Sequence, residues 1–109
     1  MLGEYEYVLL TAAARLGDAA YGAAIRVEIE AITGRRSSIG ALYTTLDRLE
    51  RKGLVKTYTG EPTEERGGRA KRMVRLTPAG RQAARDFYRT VVRISDGVPW
   101  QTSPARNVR

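Results

Sequence analysis

The sequence predicts a mainly α fold of the α+β class: a three-helix core, a two-stranded hairpin and a closing helix. Three observations predict it. Apolar residues recur at spacings of three and four in four separate stretches. Between the third and fourth stretch, residues 54–76 switch to a β-branched, partly alternating pattern around a glycine-rich turn. Glycine, proline and hydroxylic residues fall at the joints between these stretches, where helices start and stop.

The first helix is predicted from Leu2, Tyr5, Leu9, Ala12, Ala13 and Leu16, which line one face. Gly17 follows the last of them and suits a left-handed C-terminal cap; Asp18 is expected to cap the next helix. That second helix runs from about Tyr21 to Ile32, with Ile25, Ile29 and Ile32 as its buried stripe, and ends at Thr33-Gly34. Arg35 and Arg36 follow in the turn, close to the helix C-terminus, where positive charge is favoured. Ser37 or Ser38 caps the third helix, in which Ile39, Leu42, Leu46 and Leu49 form an amphipathic stripe; Gly53 stops it. Residues 54–59 read as a strand, 60–68 as a loop with Pro62, Gly67 and Gly68, and 71–76 as the returning strand. Thr77-Pro78 then starts a helix by placing a hydroxyl at the cap and proline at the first helical position. This fourth helix runs to about Ile94, with Ala84, Phe87, Tyr88, Val91 and Ile94 on an apolar face beside a ridge of Arg81, Arg85, Arg89 and Arg93. Three units are expected: residues 1–77 with the hairpin, a helix over 78–94, and a tail over 95–109 with little order.

Composition narrows the function. The 109 residues fit one domain without a separate catalytic or sensor unit. Cysteine and histidine are both absent, so thiolate sites and the commonest general base and metal ligand are missing. No phosphate loop or nucleophile motif is present, so no enzyme, metal or cofactor is expected. No apolar run approaches the roughly 20 residues of a membrane span, and the acidic N-terminus is unlike a secretion signal. A cytoplasmic protein with no membrane partner is therefore expected. The net charge of +7 is uneven: residues 1–34 carry −3, residues 35–76 carry +6 and residues 77–109 carry +4. A basic centre suits a polyanion, although a solvated basic surface is the plainer alternative.

Three helices followed by a hairpin make a winged helix-turn-helix. A helix fits the DNA major groove with its N-terminal residues towards base edges, and basic residues hold phosphates. The third helix offers small and hydroxylic residues at its N-terminal end and Arg48 on its outer face. The hairpin tip offers Arg66, Arg69, Lys71 and Arg72 beside glycines.

Three stretches resemble the PadR family of transcriptional regulators: residues 21–25 (YGAAI), 38–55 (SIGALYTTLDRLERKGLV) and 67–80 (GGRAKRMVRLTPAG). The resemblance covers about residues 2–94 and is similar to the short subgroup with a single C-terminal helix. It departs from the family pattern at Thr44, where many relatives have proline, and at Val74, where an aromatic residue is common. The resemblance implies a homodimeric repressor of transcription on an inverted-repeat operator in double-stranded DNA. Carried over residue by residue, it implies that Tyr21 touches a phosphate. Ser38, Gly40, Ala41, Tyr43, Thr44 and Thr45 would lie at the groove end of the recognition helix. Arg48 would reach backbone or a base, and Arg69 and Lys71 would be wing contacts. Half-buried packing is the alternative for Tyr21 and Tyr43.

The resemblance also implies a dimer interface of the last helix with help from the first, placing Tyr5, Leu9, Ala84, Phe87, Tyr88, Val91 and Ile94 there. The alternative is that the apolar face of the fourth helix folds back on the first helix of its own chain. The arginine ridge is a solvated face or pairs with Glu4 and Glu6 of a neighbouring chain. A different class of function is a winged-helix interaction module whose basic wing docks an acidic protein. A small-molecule effector is possible, with Tyr5, Tyr88 and Trp100 offered to line a space between helices, although aromatic residues there also serve as ordinary packing.

Overall fold

The computed structural model describes residues 1–62 and 70–100. Its elements are α1 (Glu4–Leu16), α2 (Gly22–Thr33), α3 (Ile39–Arg51), β1 (Val55–Pro62), β2 (Ala70–Leu76) and α4 (Pro78–Ser95), with one 3₁₀ turn over Gly17–Ala19. The two strands pair antiparallel from Val55↔Leu76 to Thr59↔Arg72, with an irregularity before Pro62↔Ala70. This is the expected winged helix-turn-helix, with a hairpin longer than the sequence pattern indicated.

The core lies where α1, α2 and α3 meet the base of the hairpin. Leu9, Leu10, Ile25, Leu42, Leu46, Leu49 and Val55 are fully buried, and Ile29, Val74 and Leu76 close the cluster. Removing these aliphatic side chains from water is the main stabilising contribution. The predicted stripes overreach at their ends. Ile32 and Ile39 are 61% and 42% exposed, because each lies at a helix terminus that overhangs the core.

Asp18 does not cap α2. Ala20 accepts a hydrogen bond from the Val74 amide at 3.0 Å, and Tyr21 bridges to Met73. The chain there runs extended beside β2, so the helix begins only at Gly22, with Tyr21 at its cap. Gly17 has a positive φ of 59°, but its ψ of -124° lies outside the left-handed conformation expected of the cap; glycine still permits this sharp exit from α1.

At the other end, Thr77 fastens α4 to the hairpin base. Its hydroxyl accepts from the Gly80 amide at 3.0 Å and donates to the Gly53 carbonyl at 2.7 Å; its amide donates to Leu54 at 3.1 Å. Helix α4 then runs along α1, where the Tyr7 and Phe87 rings stack at 4.7 Å. No helix among the described residues is long and apolar enough to cross a membrane.

Candidate nucleic-acid interface

The exposed end of α3 is its N-terminus. The Ser38 hydroxyl accepts from the Ala41 amide at 3.0 Å, which organises the first turn. Ser38, Gly40, Ala41 and Thr44 are all exposed there. A helix start carries unpaired amides and a partial positive charge, both suited to an anion. Arg35 and Arg36 in the preceding loop are exposed beside it. The loop is tied to α1 where the Tyr5 hydroxyl donates to Ser37 at 3.3 Å.

Around α3, Gly40, Thr44, Asp47 and Arg51 form the row opposite the core. Ala41, Arg48 and Lys52 flank it on the α1 side, and Tyr43 and Glu50 on the hairpin side. Thr45 is a correction to the expected site: it is only 6% exposed, because it lies on the same stripe as Leu42 and Leu49. At that exposure the residue offers little surface to a groove.

Each flank is an organised electrostatic cluster. On the α1 side, Glu6 is buried and binds three groups. It accepts from the Gly3 amide at 2.9 Å and from Lys52 Nζ at 2.9 Å, and the Arg48 guanidinium lies 3.9 Å away. Burial by itself pushes the Glu6 pKa up; the Gly3 amide, the Lys52 hydrogen bond and charge, and Arg48 together outweigh it and hold it below its ordinary value. Glu6 is therefore committed within its own chain and unavailable to the arginines of a neighbour.

On the hairpin side, Arg72 bridges two carboxylates of α3, Asp47 at 3.0 Å and Glu50 at 3.2 Å. Glu50 also accepts from the Thr57 hydroxyl at 2.9 Å, fixing β1 to the helix. The Arg72 guanidinium lies 5.6 Å from the Tyr43 ring centroid, and Lys71 lies 4.3 Å from that of Tyr21. Tyr43 itself rests on Gly22: a Cβ there would come within 2.3 Å of the Tyr43 hydroxyl. Tyr21 and Tyr43 are thus half-buried, each under a cation from β2. Of the predicted wing residues, Lys71 and Arg72 join this cluster, while Arg66, Arg69 and the glycines Gly67 and Gly68 lie outside the described residues.

Sequence reading placed Arg72 at the hairpin tip as a free cation and missed Gly22 and Asp47 as organisers of this face. The adjacency of Gly22 to Tyr21 and the i,i+3 pair Asp47–Glu50 were visible signals; their common partner on β2 was not.

The faces expected to form a dimer divide in two. Leu9 is a correction: it is fully buried in its own core and presents no surface to a second chain. Ala84 and Phe87 are half-buried against α1 and the core. Tyr88, Val91, Val92 and Ile94 remain 44–76% exposed on α4. Tyr5 and Tyr88 do not converge within the chain. Tyr5 lines a cleft of about 180 Å³ with Arg35 and Ser37; Tyr88 lines a separate groove of about 270 Å³ with Tyr7 and Arg81. Trp100 is 78% exposed.

Residues 9–86 match the model of the transcriptional regulator PadR-like family. The chain belongs to that family. The family is one of transcriptional regulators. A 37.1 kDa protein from a Streptomyces fradiae transposon is 40% identical over 78 residues, which are 72% of this chain and 21% of that protein. The chain thus spans about a fifth of the length of this curated relative. Among solved structures, a transcriptional regulator from Clostridium thermocellum superposes with a TM-score of 0.69 at 23% identity, covering 90% of this chain and 92% of that one. Bacillus subtilis PadR in complex with operator DNA gives a TM-score of 0.65 at 20% identity, covering 93% of this chain and 50% of that one. At these identities the two structures establish the shared fold.

Proposed function

We propose that this PadR-like regulator binds double-stranded DNA as a homodimer and represses transcription from an inverted-repeat operator in the cytoplasm. The observation that carries the reading is the exposed first turn of α3. Small residues Gly40 and Ala41 stand there beside Arg35 and Arg36, so backbone and groove can approach closely. Operator DNA bound by the structurally similar Bacillus subtilis protein supports the same ligand. In this reading Ser38, Gly40, Ala41 and Thr44 face the groove, Tyr21 and Lys71 approach a phosphate strand, and Arg48 and Arg69 supply further backbone contacts. Tyr43 acts from beneath, by seating Arg72. Residues 1–77 form the DNA-binding unit and 78–94 the dimerisation helix.

The homodimer reading is supported by Tyr88, Val91, Val92 and Ile94, a row of exposed apolar side chains on α4 that a second copy would cover. Two recognition helices would then stand about 34–36 Å apart, one turn of duplex. The test is titration of a random-sequence duplex pool at several salt concentrations. Affinity that falls as salt rises, with selection of a palindrome, is the expected result. Retention on heparin with no affinity for any duplex at low ionic strength would instead favour docking of an acidic protein and remove the DNA reading.

A further inference from the structure

We propose that Asp47 is a base-specificity residue that accepts a hydrogen bond from the exocyclic amine of a cytosine, with Arg72 as its positioning residue. The proposal rests on the reading that α3 lies in the major groove. Asp47 stands on the outer row of α3, three residues after Thr44 and seven after Gly40, the spacing at which a groove-bound helix presents successive side chains to bases. Its side chain is 52% exposed.

An acidic residue on this face is anomalous beside phosphates unless it has a partner and a task. The partner is Arg72, which donates to Asp47 Oδ1 at 3.0 Å and offsets its charge. Arg72 is itself fixed from two other directions, by Glu50 at 3.2 Å and by the Tyr43 ring. Tyr43 is fixed in turn by the bare backbone of Gly22. The two carboxylates of the cluster differ in what remains to them. Glu50 uses one oxygen on Arg72 and the other on Thr57, so both its oxygens are engaged in holding the hairpin. Asp47 has no hydrogen bond to its Oδ2 among the described residues. The bond at Oδ1 limits the rotation of the carboxylate, whose side chain is half exposed on the outer row of the helix.

A carboxylate only accepts. In the major groove it meets a lone donor at cytosine N4, whereas guanine and thymine present acceptors at the corresponding edge and adenine sets its amine beside the N7 acceptor. Cytosine is the base this oxygen favours.

The experiment is selection from random duplexes with the full chain, comparing the unaltered protein with Asp47→Ala and Asp47→Asn. The unaltered protein is expected to enrich cytosine at one position in each half-site by about tenfold over other bases, at the lower end of what a specific contact provides. Asp47→Ala should bind duplex and lose that enrichment. Asp47→Asn should move it towards adenine, whose N6 and N7 match an amide; a residue that only braced the hairpin would change affinity evenly across sequences. Enrichment of the same cytosine by Asp47→Ala overturns the proposal, as does loss of all binding by both variants with their helical spectra intact. Absence of duplex binding by the unaltered protein is a distinct result, which overturns the DNA reading beneath it.

Discussion

Gly80→Ala is expected to destabilise the protein by about 2 kcal/mol, although helix propensity alone favours alanine over glycine by roughly 0.8–1 kcal/mol. Gly80 sits in the first turn of α4 against the turn that leaves α3. A Cβ on it would stand 1.9 Å from the Leu54 carbonyl oxygen and 2.9 Å from its carbon. Both are backbone atoms, so no side-chain rotation relieves the overlap. About 1.5 Å of separation is missing before the contact becomes an ordinary one of 3.4 Å. Moving α4 away by that amount breaks two bonds made by Thr77, from its hydroxyl to Gly53 and from its amide to Leu54. At about 0.5–1.5 kcal/mol each, these represent roughly 1–3 kcal/mol, and residual overpacking adds about 1 kcal/mol or more. The sum exceeds the propensity gain. In a domain of this size about 2 kcal/mol lowers the melting temperature by roughly 8–16 °C. Urea unfolding followed by circular dichroism measures it, with the slope checked for constancy. A midpoint that stays level or rises would show that propensity wins and that α4 does not approach Leu54 as closely as described.

Gly40→Ala tests the opposite case. Only the Ser38 hydroxyl oxygen comes near a Cβ there, at 3.9 Å, so stability should rise by roughly 0.5–1 kcal/mol while duplex affinity falls several-fold in fluorescence anisotropy. Unchanged affinity would place the first turn of α3 away from DNA. The Glu6 carboxyl gives a pH signature. Its folded pKa lies below the ordinary 4.5, so the unfolded chain binds more protons in the window between the two values. Stability is therefore present above that window and is lost as pH falls through it. Glu6→Gln should flatten this acid limb in melts from pH 6 down to pH 3, and an equally steep limb would assign the loss to other groups. Val91→Asp combined with Ile94→Asp should leave the core intact and yield a 12.1 kDa species in sedimentation; the unaltered protein should sediment at twice that mass, and finding it at 12.1 kDa as well at micromolar concentration would end the dimer reading.

Contiguous signals were the legible ones. Ser38 and Thr77-Pro78 mark the starts of α3 and α4, and Leu42, Leu46 and Leu49 mark a buried face, because each depends on residues within one or two turns. The period of a helix also held the information that excludes Thr45 from the groove, since it is three residues from Leu42 and four from Leu49. What the sequence did not disclose was contact across distance. Glu6 meets Lys52 across 46 residues, and Arg72 meets Asp47 across 25. Tyr43 needs Gly22 bare, and Leu54 needs Gly80 bare. Both glycines sit in stretches that resemble the family, yet their reason lies in the atoms opposite them. Asp18 failed as a cap for a similar cause: β2 captures residues 20 and 21 and delays the helix.

Net charge by segment does not distinguish cations that are paired within the chain from those free to meet an anion. The excess of basic residues in 35–76 suggests that α3 and the hairpin are themselves the positive surface. Yet Arg48 and Lys52 face Glu6, and Arg72 faces Asp47 and Glu50, so three cations near α3 are offset by three carboxylates. Among the described residues of 35–76, the cations that form no ion pair are Arg35, Arg36 and Arg51 at the two ends of α3 and Lys56, Lys71 and Arg75 on the hairpin. With α3 in a groove, the unpaired cations would meet phosphate at the two ends of the helix and along the hairpin, and the offset cations would leave the helix face between them nearer neutrality. That division suits reading over mere adhesion. Binding at the margins is salt-dependent and indifferent to sequence, whereas a neutral central face binds only where its donors and acceptors match the bases. Arg35→Ala with Arg36→Ala should accordingly weaken specific and random duplexes by the same factor and reduce the salt slope by about two. A larger loss on the selected operator than on random DNA would move these arginines from the phosphates to the bases.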